Sequence, residues 1–147
     1  MIEPAPTTPL APHLARGTLI EVVPDSATRP GHIVLRIPNT SYQLHLVPAT
    51  GFTTPVGARI IGTIHARAKR VDTTGTGGRF IEPVYGRPRR IQGFVVGTDP
   101  AANTITVDTG VPVICTLNDQ RQHPSQFSEG QFVGFDVMDG ATFEPQA

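Results

Sequence analysis

The chain has 147 residues, 12 basic and 12 acidic side chains, a formal net charge of zero and only 16% charged residues. That length suits one ordinary domain or two very small ones. A single cysteine, Cys115, excludes an intrachain disulfide, and no run approaches the roughly 18 apolar residues of a membrane-spanning helix.

Residues 1–14 carry four prolines within the first twelve positions, and lack the basic start and apolar core of a secretory leader. They are expected to form a flexible Pro-rich arm on a cytoplasmic protein. Beyond them, Gly and Pro remain frequent, yet apolar residues recur in short patterned runs. Turn-rich β structure is therefore expected rather than disorder.

Residues 15–72 read as one unit: "RGTLIEVVPD", then "HIVLRIPNTSYQLHLVP", then "VGARIIGTIHARAKRVD". Alternation places Ile33, Leu35 and Ile37 on one face and His32, Val34 and Arg36 on the other, the period of half-buried strands. "PNTS" is turn chemistry, and Gly57 precedes a strand where a positive φ is often needed. Residues 73–89 form a connector rich in Gly, Arg and aromatics. It carries Phe80, Ile81, Val84 and Tyr85, so it is expected to lie ordered against the barrels, with Pro83 confining it to an edge.

Residues 90–147 repeat the first pattern: "RIQGFVVGTDP", then "NTITVDTGVPVICTLND", then "EGQFVGFDVMDGATFEP". Gly17 matches Gly93, Ile33 matches Ile105, Leu35 matches Val107, Leu46 matches Leu117, and Gly57 matches Gly130. Asn118 to Gly130 has room for one short helical turn interrupted by Pro124. Asp139-Gly140 reads as a hairpin turn. The expected core is Ile33, Leu35, Leu44, Leu46, Ile60, Ile64, Val95, Ile105, Val107, Leu117, Val133 and Val137.

Four or five short strands per copy suggest a small closed barrel, because closure removes exposed edges. Each copy is poor in large apolar residues, so the two are expected to pack together or share a strand. The glycines and alternating apolar pairs across both copies resemble oligonucleotide/oligosaccharide-binding (OB) barrels. "LARGTLIEV" and "VGARIIGTIHARAKRV" in the first copy resemble the transport-associated OB and molybdopterin-type modules. The fold expected is all-β, with two repeated small OB-like barrels joined by an ordered basic connector. The second resemblance implies an oxyanion site between barrels, held by backbone N–H groups with Ser, Thr, Arg or Lys.

Zero net charge conceals segregation. Residues 65–90 hold seven of the twelve basic side chains and carry a net charge of +5, whereas residues 91–147 carry −6. Arg59, Ile61, Thr63, His65, Arg67 and Lys69 would share one face of a strand. A basic track with interleaved aromatics is what a phosphate backbone and unstacked bases require. The candidate binding residues are therefore Arg67, Lys69, Arg70, Arg79, Phe80, Tyr85, Arg87, Arg89 and Arg90. The competing reading docks this segment on the acidic half through Asp108, Asp136 and Asp139.

Other motifs carry less. "TTGTGG" lacks the Gly-Lys-Ser/Thr ending and the following helix of a phosphate loop. The five histidines form no HxH or HxxxH pair, although His32 and His45 face one another across strands. Cys115 lies in a buried apolar strand and reads as inert. Asp136, Asp139 and Glu144 lack an evident cleft for acid–base work. Neither a catalytic set, nor a metal site, nor a cofactor is expected. The expected function is a non-enzymatic module contacting single-stranded nucleic acid through residues 65–90. A protein-interaction scaffold with an acidic partner or a second copy of the chain, and a small-oxyanion-binding protein, are the alternatives.

Overall fold

In a computed structural model, residues 10–51, 53–75 and 77–146 are described, and they form an all-β fold. Residues 1–9 of the Pro-rich arm lie outside the described residues. The longer strands of the first half are β1 (Ala15–Val23), β2 (His32–Arg36), β3 (Gln43–Pro48) and β4 (Arg59–Ala68). Three short strands cross the connector region: β5 (Asp72–Thr73), β6 (Phe80–Glu82) and β7 (Tyr85–Gly86). The second half contributes β8 (Arg90–Asp99), β9 (Thr104–Asp108), β10 (Pro112–Leu117), β11 (Phe132–Asp136) and β12 (Thr142–Pro145).

Period-two alternation survives into the burial of β4, where Ile60, Ile64, Ala66 and Ala68 are buried while Arg59 and Arg67 are exposed. All twelve residues expected in the core are buried. Val34 departs from the alternation: it is buried at 2% exposure, outside the main core cluster. It lies directly across the ladder from His45, close enough for a ring to shield it. Among the described residues the only helical element is a 3-10 turn at Pro124–Gln126. Pro124 opens this turn rather than interrupting it, because the first position needs no N–H donor.

The first ring is a closed five-stranded barrel. Its strands run in the order β1-β2-β3-β12-β4, and antiparallel pairing of β4 with β1 seals it. The fifth strand comes from the far end of the sequence. β12 pairs parallel with β3 (Thr142 with Val47) and antiparallel with β4 (Phe143 with Ile64). Phe143, fully buried, fills the space this creates. The pairing therefore crosses the boundary drawn between residues 72 and 90.

In the second half, β8 pairs antiparallel with β9 and β11, and β9 with β10. β10 then pairs parallel with the end of β4, from Ile114 opposite His65 to Leu117 opposite Ala68. Ala68 also bridges Val137, just past β11. β4 is thus shared between the halves, its first part pairing with β1 and β12 and its last part with β10.

Several local contacts recur at matching places. β1 carries a bulge between Leu19 and Glu21, and β8 carries one between Val95 and Gly97. Gly57 N–H donates to the Leu19 carbonyl at 2.7 Å, and Gly130 N–H to the Val95 carbonyl at 2.7 Å. Both glycines have positive φ, 94° and 85°, as their position before a strand anticipates. Val47 N–H reaches the Ala141 carbonyl at 2.9 Å, and Asn118 N–H reaches the Ala68 carbonyl at 3.1 Å. A Cβ on Gly17 would meet Leu35 Cγ at 2.6 Å, and one on Gly93 would meet Val107 Cγ1 at 3.1 Å and overlap the Asp108 carbonyl.

The connector is bound to both halves. β6 pairs with β8, with Ile81 buried, and β7 pairs parallel with β3. The Tyr42 hydroxyl accepts from Ile81 N–H at 3.0 Å and donates to the Thr109 carbonyl at 2.8 Å.

Candidate functional site

The end of β11 and the turn that follows it present Asp136 and Asp139 to the basic segment. Arg87 Nη1 lies 2.7 Å from Asp139 Oδ2, and Arg90 Nη1 lies 3.1 Å from Asp136 Oδ1. Arg67 Nη2 donates to the Asp139 carbonyl at 2.7 Å. Arg67, distant in sequence from Arg87 and Arg90, therefore meets them around the end of β11 and the turn that follows. Beside them a groove of about 410 Å³ is lined by Lys69, Arg87, Pro88, Arg89, Asp136, Val137 and Asp139. Lys69 and Arg89 are exposed and carry no ion pair among the described residues.

The remaining expected residues lie elsewhere. Arg70 is exposed and pairs with Asp72 at 3.3 Å, and Arg79 pairs with Asp108 at 3.1 Å. Neither lines the groove. Phe80 is half-buried in β6, opposite Gln92 of β8, and contributes packing more than surface. Tyr85 in β7 is 60% exposed. The three ion pairs to Asp108, Asp136 and Asp139 are those that docking of the basic segment on the acidic half requires. All are solvent-facing, where such pairs contribute roughly 0–1 kcal/mol each.

An aromatic ladder adjoins Arg87. The His32 and His45 rings stack at 4.7 Å with 15° between planes, and Tyr85 meets His45 edge-on at 4.9 Å. The facing of His32 and His45 is legible from the sequence, but their stacking against Tyr85 is not. Burial lowers the His45 pKa, and the neighbouring His32 and Arg87 charges act in the same direction, while Glu21 opposes them. Burial also lowers the His65 pKa, against Glu144 at 4.0 Å. His65 Nε2 hydrogen-bonds Thr63 Oγ1 at 2.8 Å.

The matching face of the second half differs. With the Ile33–Leu46 pair set against the Ile105–Cys115 pair, Thr104 and Ile114 stand where the first half places His32 and His45. Neither Thr104 nor Ile114 carries a ring. A second aromatic contact, Phe94 with Phe132 at 4.6 Å, sits on β8 and β11 instead.

Burial pushes the Cys115 thiol far up, so it remains protonated and unreactive at neutral pH. Among the described residues no group of three His, Cys, Asp or Glu side chains is placed to hold a metal ion. Among the same residues no helix is long and apolar enough to cross a membrane. Compared with known proteins, the chain matches no family model, no curated protein and no solved structure.

Proposed function

We propose that this protein is a non-enzymatic, cytoplasmic binding module that holds single-stranded nucleic acid along the outer face of β2 and β3. The observation that carries the reading is the adjacency of a ring ladder, half-buried His32 and His45 with exposed Tyr85, to a groove with the unpaired cations Lys69 and Arg89. Bases stack on flat rings whatever their sequence, at about 1–3 kcal/mol each, while a cationic groove follows the phosphates. The ring order β1-β2-β3-β12-β4 supports an OB-like reading, and the β2–β3 face is where such barrels take oligonucleotides.

The same proposal extends to the architecture. The two halves are diverged copies of one small barrel that exchange their fifth strands. The matched bulges and the Gly57 and Gly130 hydrogen bonds support this.

The test is salt-dependent binding of a labelled oligonucleotide. Lys69→Ala with Arg89→Ala breaks no ion pair, so folding is retained. Affinity falls, and the slope of log K against log salt falls by about 0.7 for each lost phosphate contact on a single strand. An unchanged slope, or no binding by the parent protein at low salt, refutes the reading.

A second reading makes the basic segment an internal clamp within a protein-interaction scaffold. The pairs Arg79–Asp108, Arg87–Asp139 and Arg90–Asp136 favour it. Under it, reversing Arg87 and Asp139 together preserves all function. Nucleic-acid binding predicts a loss from the same exchange, because the groove's charge pattern changes.

A further inference from the structure

Beyond the groove, on the other side of Arg87 and Asp139, lies a smaller cavity of about 70 Å³. Its ionisable lining is Arg29, His32, His45, Arg87 and Asp139. We propose that this cavity binds a tetrahedral dianion of the sulfate or phosphate class, and that binding tightens as the pH falls. The inference does not depend on the nucleic-acid reading.

Size, charge and an orphaned atom argue for it together. One water needs roughly 10–15 Å³ of such space, so the cavity has room for several waters or one ion with four oxygens. Two guanidinium groups face one carboxylate, and that carboxylate already engages Arg87 Nη1 at 2.7 Å. The surplus is positive even with both imidazoles neutral. His45 Nε2 is shut off from solvent and has no hydrogen-bond partner among the described residues. The His45 ring lines the cavity, and this unpaired nitrogen would gain a partner if the ring turned toward a bound ion.

Arg29 is held in place by its loop. Its N–H donates to Ser26 Oγ at 3.1 Å, and its carbonyl accepts from Ser26 N–H at 3.0 Å. Gly31 N–H is bound by the Asp25 carboxylate, closing the turn before β2. The backbone that carries the guanidinium is thus pinned, so binding orders the side chain and not the turn.

The pH dependence follows from the groups around His45. His32 faces it from β2, Glu21 from β1, and Tyr85, Arg87 and Asp139 from the connector and the β11–β12 turn. Burial, His32 and Arg87 lower the His45 pKa, and Glu21 opposes them. A dianion among the rings favours their protonated forms, so protons are taken up with it. Affinity then rises as the pH drops through the histidine range.

The experiment titrates the whole protein with sulfate, whose charge is constant over the range, at about pH 5.5 and about pH 7.5. Imidazole nitrogen and backbone amide resonances report binding. Saturable shifts at His32 and His45 are expected, with affinity about tenfold tighter at the lower pH. Arg29→Ala, in an exposed turn, weakens binding by about tenfold through loss of a charge-assisted hydrogen bond. His32→Ala weakens the acid-side gain. His65, which does not line the cavity, reports any general salt effect. No saturable shift at either ring, equal affinity at both pH values, or an unaltered Arg29→Ala protein overturns the proposal.

Two further arms identify the source of the anion. If a 5′-phosphorylated oligonucleotide binds tighter than its 5′-hydroxyl counterpart, and Arg29→Ala abolishes the difference, the cavity holds a strand end. If inorganic phosphate shifts His32 and His45 while the two oligonucleotides bind alike, it holds a free ion. Sulfate binding without binding of any oligonucleotide removes the nucleic-acid reading and leaves this site in place.

Discussion

The phenol of Tyr42 donates a 2.8 Å hydrogen bond to the carbonyl of Thr109, 67 positions away, and both residues are buried. The same oxygen accepts the Ile81 N–H, so one hydroxyl ties together the first ring, the connector and the second half. Burial raises the Tyr42 pKa above its ordinary value, so this oxygen keeps its proton at neutral pH. Tyr42→Phe retains the ring and strands two backbone groups without partners. A loss of about 1–3 kcal/mol is expected. Denaturant unfolding should show a lower midpoint with an unchanged slope, and an unchanged midpoint would show that water replaces the hydroxyl.

Matched glycines make a second prediction. Gly17→Ala and Gly93→Ala each push a methyl into the neighbouring strand, against Leu35 in one half and Val107 with the Asp108 carbonyl in the other. Each should cost about 1–3 kcal/mol, the range for overpacking. Gly97→Ala, also in β8, meets only Thr106 Cβ at 4.0 Å and should fall within about 0.5 kcal/mol of the parent. Comparable losses at Gly97 would mean that strand flexibility, not close approach, explains the first two.

A third prediction concerns cooperativity. Phe143 is fully buried in the first ring but belongs to the second half of the sequence. Phe143→Ala should cost about 3–5 kcal/mol. Because β4 is shared, amide exchange should accelerate in β8–β11 as well as in β1–β4. Acceleration confined to the first ring would show that the halves unfold independently.

The fourth is a pH dependence with a definite sign. His45 and His65 have lowered pKa values in the folded protein, with burial the main cause at both. The unfolded chain therefore binds more protons as the pH falls below the ordinary histidine value of about 6.5. Stability from these residues is complete above that value and is lost as the pH falls through the lowered folded-state values. Melting temperature should decline from neutral pH toward pH ~5, and His65→Gln should flatten the decline. Sulfate should oppose the part that belongs to His45.

Sequence patterning exposes the strands and their inward faces, because side-chain alternation is a local property of each strand. Ile33, Leu35 and Ile37 disclose their face without reference to any partner. The glycines at 57 and 130 are equally local, since each marks one backbone conformation. Strand partnership is not local. "TFEP" offers one large apolar residue, Phe143, and nothing in those four letters directs it to β3 rather than to β10. Charge segregation is visible in the chain, and so are the acids that receive Arg79, Arg87 and Arg90. Which arginines stay unpaired, Lys69 beside them included, depends on side-chain reach across strands whose neighbours the pattern does not disclose. The cavity beside His45 is hidden for the same reason: its lining comes from a turn, two strands, the connector and the approach to β12.

The placement of β12 has a consequence for synthesis. Thr142 follows Ala68 by 74 positions, so β1–β4 leave the ribosome long before the strand that closes them. At about 5–20 residues per second, that seam between β3 and β4 stands open for roughly 4–15 s. An open seam is a template for any passing strand. On a crowded polysome the nearest suitable strand is the same segment of a neighbouring nascent chain. Two molecules that trade this segment would each be fully paired and permanently coupled. If such an exchange occurs, slower translation and denser packing of ribosomes on the message would both favour it.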